Sequence, residues 1–274
     1  MMPQAYFPLG TDGSRIPSIG LGTFQPDPKL YPTGTVKQSV LTALRAGYRH
    51  IDTSLRESGI PREEIFVNVF HAPEDVQVNL DMDLENLGLD YVPYAYKETG
   101  EGYGTVRKAD GKPVVDIELS RAFDITYQAM EKLVETGKVK HIGISNFSSP
   151  KVKRLLRSAI IKPAPQKGLV KLCQENGIHI TAFGPLGCTP ITALAGRNGH
   201  GPLENKTVRS VAEKYSRTPA QVLLCYLLCR GISVIPKSNN PERIVQNLDC
   251  LFDLDEEDFR LLNSIAGEDG ELGV

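Results

Sequence analysis

The chain has 274 residues and a mass of 30.1 kDa, enough for one large domain or two small ones; an alternating barrel of strands and helices often fills about 250 residues as one unit. Its 41% hydrophobic and 23% charged residues exclude a disordered chain, and the sequence shows no apolar run long enough for a membrane span and no charged-then-apolar leader in residues 1–8. A net charge of -2 and a pI near 6.2 give no global field for nucleic acid, although a local basic cluster can still hold a phosphate.

Short β-branched or apolar runs alternate with helical periodicity from end to end. Ile19 to Gly22 reads as a strand, Thr35 to Ala46 as a helix closed by Gly47, and Tyr48 to Asp52 as the next strand. Ile65 to Val69 is a strand, Pro73 to Leu87 a helix closed by Gly88, and Tyr91-Val92 a short extended run; Lys97 to Lys112 is polar and Gly-rich and reads as a surface loop. Ile125 to Thr136 is a helix closed by Gly137, and Val139 to Ser145 a strand. Lys151 to Ser158 and Gln166 to Asn176 are helices, the second closed by Gly177, and His179 to Phe183 is a strand. The helices Lys206 to Tyr215 and Pro219 to Arg230 precede the strand Ile232 to Pro236, and Pro241 to Asn247 and Asp255 to Ile265 are helices with acidic first turns.

No low-complexity linker divides this pattern, so a single α/β barrel over residues 1–274 is the economical architecture, with a doubly wound sheet as the rival. The rival's nucleotide site wants GxGxxG after its first strand, whereas Gly20-Leu21-Gly22-Thr23-Phe24-Gln25 stops after two glycines. Those glycines serve either a tight strand exit or a close approach to a ligand. The five cysteines, at 173, 188, 225, 229 and 250, contain no CxxC pair and read as reduced thiols of a cytoplasmic protein, and no metal site is expected.

One segment carries coherent site chemistry. Ile235-Pro236-Lys237-Ser238-Asn239-Asn240-Pro241-Glu242-Arg243 runs from a strand end into a helix. Free backbone N–H groups, the Ser238 hydroxyl and the cations of Lys237 and Arg243 together make an anion site at the C-terminal face of a barrel strand. A surface helix with Asn240 as N-cap and Pro241 at its first position explains many of the same residues.

Five motifs in order resemble the aldo-keto reductase family: Asp12-Gly13-Ser14-Arg15-Ile16-Pro17, Gly20-Leu21-Gly22-Thr23-Phe24, Ala46-Gly47-Tyr48-Arg49-His50-Ile51-Asp52-Thr53, Gly143-Ile144-Ser145-Asn146-Phe147 and Ile235-Pro236-Lys237-Ser238. The resemblance implies a (β/α)8 TIM barrel that binds NADP(H) in extended form without a Rossmann domain. It implies that Lys237, Ser238 and Arg243 hold the adenosine 2′-phosphate, with Asn239 and Asn240 in the same loop and Gln246 and Asn247 at the adenine. Ser145 and Asn146 match the pair that bonds the nicotinamide carboxamide, although taken alone the two residues read better as a helix cap after a strand. Phe183 stands where the family stacks a Tyr on the nicotinamide ring, and Gly22, Thr23 and Phe24 match the strand exit beside the cofactor.

The family reaction moves a hydride from NADPH to a carbonyl carbon while a Tyr donates the proton, its pKa lowered by a Lys paired with an Asp, and a His orients the carbonyl. An unperturbed Tyr near pKa 10 is a poor acid at neutral pH, so those partners are needed. Asp52 matches the Asp; the other three positions have no match. Set against the family pattern, the Tyr and most of a helix are expected to be missing between Ser54 and Leu55, the Lys between Val67 and Asn68, the His between Val92 and Pro93, and the sixth strand between Ala164 and Pro165.

Spacing supports the gaps independently. Seven residues, Ala159 to Pro165, separate two expected helices, where a strand of about five and two loops of at least two need roughly nine. Twelve residues, Thr53 to Glu64, separate two strands, near the lower limit of about 10 to 12 for a crossover with its helix. The barrel is therefore expected to be incomplete or distorted. Drift substitutes residues and leaves spacing intact, so four clean gaps at strand ends point to excised coding segments. The chain also stops at Val274, where the family continues into a loop that shapes the substrate pocket.

Two functions are consistent with these residues. One is an impaired NADP(H)-dependent reductase interconverting a carbonyl and an alcohol on an aldehyde, ketose or polyol. The other is a catalytically dead NADP(H)-binding relative, a pseudoenzyme, or a truncated splice or gene-model product. Neither includes a nucleic-acid or membrane partner.

Overall fold

The computed structural model describes residues 2–9, 13–23, 34–52, 66–68, 121–135, 141–145, 147–158, 169–187 and 201–265. Two units divide the chain: Met1–Asn68 with Val170–Val274, and Val69–Leu169.

The first unit opens with an antiparallel hairpin, β1 (Tyr6–Pro8) on β2 (Arg15–Pro17), with Phe7 opposite Ile16. Both of these side chains are buried, and the Phe7 ring lies 5.3 Å from that of His179. Three-residue strands carry too little alternation to be read from sequence, and this hairpin was not expected. It covers the N-terminal ends of the parallel strands that follow.

Those strands are β3 (Leu21–Gly22), β4 (His50–Asp52), β5 (Phe66–Asn68), β6 (Ile180–Phe183) and β7 (Ile232–Ile235). β3, β4 and β5 are parallel neighbours, with Gly22, Asp52 and Asn68 in one register. β6 and β7 pair in parallel, with Phe183 opposite Ile235. The two groups are stitched together: Ile19 bridges Val234 in parallel, Val234 N–H donates to Ser18 O (2.8 Å), Gly20 N–H to Val234 O (2.8 Å) and Gly22 N–H to Pro236 O (3.1 Å). The spatial order is thus β6, β7, β3, β4, β5. The last parallel strand in the chain lies beside the first, which is how a barrel returns on itself and not how a doubly wound open sheet is ordered. No strand among the described residues completes the circuit between β5 and β6.

Helices clothe this sheet. α1 (Thr35–Ala46) ends where the reading placed its stop, at Gly47 in the left-handed region (φ 107°), whose N–H bonds back to the last turn. In the second unit lie α2 (Phe123–Glu135) and α3 (Ser149–Leu155), where the Phe123 and Phe147 rings meet edge to face at 5.0 Å and Arg154 pairs with Asp124 at 3.0 Å. α4 (Leu169–Glu175) precedes β6. α5 (Lys206–Lys214) is capped by Asn205, which accepts from the Thr207 and Val208 N–H groups.

α6 (Pro219–Cys229) starts on a full capping box, with Thr218 and Gln221 each bonding the other's backbone N–H. It is buried on both faces. Leu224 and Leu228 join the sheet core with Ile51 and Val234, while Leu223, Cys225 and Tyr226 pack with Val208, Phe252 and Leu262. α7 (Pro241–Leu248) follows β7, and α8 (Glu256–Ile265) closes the described residues.

One expected strand is absent. Of Val139 to Ser145, the described residues 141–145 form no strand. A strand exists through its neighbours' hydrogen bonds, and none of the described strands pairs with residues 141–145. The expected helix at Pro73 to Leu87, the run Tyr91-Val92 and the loop Lys97 to Lys112 lie outside the described residues.

The sheet's interior carries a polar layer near its N-terminal end. His179 Nε2 lies 2.9 Å from Ser233 Oγ, Thr181 Oγ1 lies 2.7 Å from the same hydroxyl, and His50 Nδ1 lies 3.1 Å from Pro17 O. His50 stands over Gly20, where a Cβ would come within 2.6 Å of its ring. That contact explains the first glycine of the pair by packing alone.

Candidate functional site

The C-terminal rim of the strands gathers most of the expected residues of the first unit. Gly22 ends β3 in register with Asp52, and its N–H bonds Pro236 O beside the end of β7. A Cβ on Gly22 would lie 2.5 Å from Ile235 O, so the second glycine is required by the approach of two backbones at the seam. Thr23 follows, buried, and Phe183 ends β6 as a residue 42% exposed.

Asp52, which the family resemblance singles out, ends β4, and the residue in register with it on β5 is Asn68.

Beyond β7 the chain turns through Pro236 to Asn240 into α7. Ser238 Oγ accepts from the Asn240 N–H at 3.1 Å, and Asn240 Oδ1 accepts from the Arg243 N–H at 2.9 Å. Asn240 is therefore an N-cap with Pro241 at the first helical position, the structural role that the sequence allowed for it. Pro241 has no N–H to offer an anion and Arg243 N–H is taken, so any anion here depends more on the Lys237 and Arg243 cations than on the helix terminus.

Three contacts that sequence reasoning missed hold this segment. Tyr48, fully buried ahead of β4, donates its hydroxyl to Ile244 O at 2.8 Å. Burial pushes that phenol above its usual range, with Cys250 adding to the effect, so it remains a neutral donor. Gln221 Nε2 donates to Gln246 O (3.1 Å) and Asp249 O (2.8 Å), bracketing the end of α7. Ser39 Oγ of α1 lies 3.3 Å from Asn239 Oδ1. Partners 25 to 200 residues apart leave no local signal. Within α7, Asn247 is buried and Gln246 exposed.

In the second unit, Ser145 is half-buried and precedes α3, whose N-cap position is occupied by Ser148. Capping thus does not account for Ser145. Asn146 and Phe24 lie outside the described residues. Among the described residues no three His, Cys or carboxylate side chains are grouped to hold a metal, and no helix is long and apolar enough to cross a membrane.

The sequence profile of the Aldo/keto reductase family matches residues 66–266. The chain is 36% identical to a glycerol 2-dehydrogenase (NADP(+)) of Saccharomyces cerevisiae, with 96% of this chain and 91% of the relative covered. It is also 36% identical to aldose reductase B of Dictyostelium discoideum, over 96% and 93%. The yeast alignment extends over 303 positions, more than the 274 residues of this chain, so it necessarily crosses positions where this chain has no residue. The solved aldose reductase of Schistosoma japonicum superposes with a TM-score of 0.75 at 31% identity, covering 96% of this chain and 92% of that one. The return of β7 onto β3, the shared barrel fold and the match over both units establish that the chain belongs to the aldo/keto reductase family, oxidoreductases of carbonyl and alcohol groups.

Proposed function

We propose that the chain is a single-domain, cytoplasmic member of the family that retains the binding surface for NADP(H) and has lost the proton-transfer apparatus for reducing an aldehyde or ketose, or oxidising a polyol. The observation that carries this reading is the rim of the sheet. Asp52 is in place on β4, Asn68 stands in register with it, and no Tyr, Lys or His occupies the family positions in the sequence. The alignment's overrun of the chain length supports excised segments as the origin.

The residues present fit the cofactor. Lys237 and Arg243 flank a hydroxyl at a strand-to-helix turn, a donor set suited to a phosphate dianion. Ser238, Asn239 and Asn240 shape the turn, and Gln246 and Asn247 follow on α7. Phe183 is exposed and available for stacking, and Gly22 and Thr23 form the strand exit; the family resemblance assigns Phe24 to the same exit and Ser145 and Asn146 to the carboxamide. Bound NADPH would supply a hydride. This chain's own residues would bind and orient the cofactor, and without the family's Tyr, Lys and His in the sequence the chain would lack the donor that gives a carbonyl oxygen its proton. Among the described residues Cys173, Cys225, Cys229 and Cys250 form no disulfide.

Titrating NADPH against the chain by cofactor fluorescence tests the binding half. Saturable binding weakened about 10- to 100-fold by Lys237→Ala or Arg243→Ala, the loss of one charge-assisted contact, is expected; affinity unmoved by both substitutions refutes the assignment.

A further inference from the structure

Ser39 belongs to α1, far from the cofactor motifs in sequence, and is buried at 6% exposure. Its hydroxyl has one proton and two oxygen neighbours: Thr35 O at 2.9 Å and the Asn239 side-chain oxygen at 3.3 Å. One proton cannot serve both acceptors. The shorter contact, a back-bond to the carbonyl one helical turn earlier, claims it. Two acceptor oxygens then face each other, and a half-turn of the Asn239 carboxamide relieves this by bringing its NH2 group onto Ser39 Oγ. The amide's other arm, its carbonyl oxygen, is the one left to a ligand of the Lys237–Arg243 turn.

We propose that Ser39 is a positioning residue that sets cofactor preference through Asn239, and that it lowers the discrimination against a cofactor lacking the 2′-phosphate. A carbonyl oxygen repels a phosphate dianion and accepts from a ribose 2′-hydroxyl, so the pair Ser39–Asn239 works against the attraction of Lys237 and Arg243 for phosphate. The turn therefore takes both NADP(H) and NAD(H). This inference rests on the reading of the turn as the adenosine end of the cofactor site.

The test compares 2′,5′-ADP with 5′-AMP, which differ only by the phosphate in question, by isothermal titration of the full chain and its variants. Ser39→Ala frees the carboxamide to turn its NH2 outward and raises the preference for 2′,5′-ADP by about three- to tenfold. Ser39→Thr, which keeps the hydroxyl, retains the parental ratio. In an Asn239→Ala background Ser39→Ala changes the ratio no further, which a general loosening of α1 would not reproduce. A parental chain that binds both nucleotides and whose ratio is unmoved by Ser39→Ala overturns the inference and leaves the cofactor reading standing. A parental chain that binds neither overturns both.

Discussion

Acid should unfold this barrel through two histidines that the folded chain keeps neutral. His50 is fully buried at the start of β4, and its pKa is lowered from 6.5 to about 4, mainly by burial, with the neighbouring His179 adding to the effect and the bond to Pro17 O opposing it. Burial also lowers His179 from 6.5 to about 4, and its ring is bonded to Ser233 Oγ and lies against Phe7. Both folded values lie below the unfolded one, so the unfolded chain binds more protons once the pH falls below 6.5. Stability is thus fully present above pH 6.5, declines as the pH falls toward 4, and loses nothing further from these groups below that.

Each proton contributes a slope of up to about 1.4 kcal/mol per pH unit. His50 then accounts for about 3 kcal/mol over the window, and the half-buried His179 for less. Against a typical total of about 5–15 kcal/mol, this is a large share. Urea unfolding followed by circular dichroism at intervals from pH 7.5 to 4.5 measures it. The expected result is a falling stability whose slope is roughly halved in His50→Gln. A slope that His50→Gln leaves unchanged, or a His50 ring titrating near 6.5 by NMR, refutes the reasoning.

Two further outcomes follow from the seam and the gaps. Gly22→Ala places a Cβ 2.5 Å from Ile235 O, backbone against backbone; it should cost about 1–3 kcal/mol and lower the thermal midpoint by roughly 3–10 °C, and an unchanged midpoint contradicts the seam. Sequencing the transcript across the codons for Ser54-Leu55, Val67-Asn68, Val92-Pro93 and Ala164-Pro165 should reveal in-frame coding segments that restore the Tyr, Lys, His and sixth strand; uninterrupted genomic reading frame at all four junctions contradicts excision.

What could be read from sequence was what local chemistry decides. Gly47 stops α1 because that position needs a left-handed backbone, and Thr218, Pro219 and Gln221 start α6 because a capping box is complete within four residues. What failed was what depends on partners. Val139 to Ser145 has a strand's alternation, but a strand needs neighbours to bond. The register of Asp52 on β4 with Asn68 on β5 is likewise set by pairing between strands and not by either local segment. The β1–β2 hairpin is held by docking Phe7 and Ile16, which three-residue runs do not announce. The contacts of Ser39, Tyr48 and Gln221 with the turn and α7 join distant segments, and no motif reports them.

The central claim is that the cofactor surface outlived the chemistry. Single-turnover reduction measures this most directly: NADPH is bound to the purified chain, a panel of small aldehydes is added, and absorbance at the nicotinamide band is followed. The account predicts saturable NADPH binding and no aldehyde-dependent oxidation above a buffer control. Oxidation that requires aldehyde, survives repurification and disappears in Asp52→Asn would contradict it.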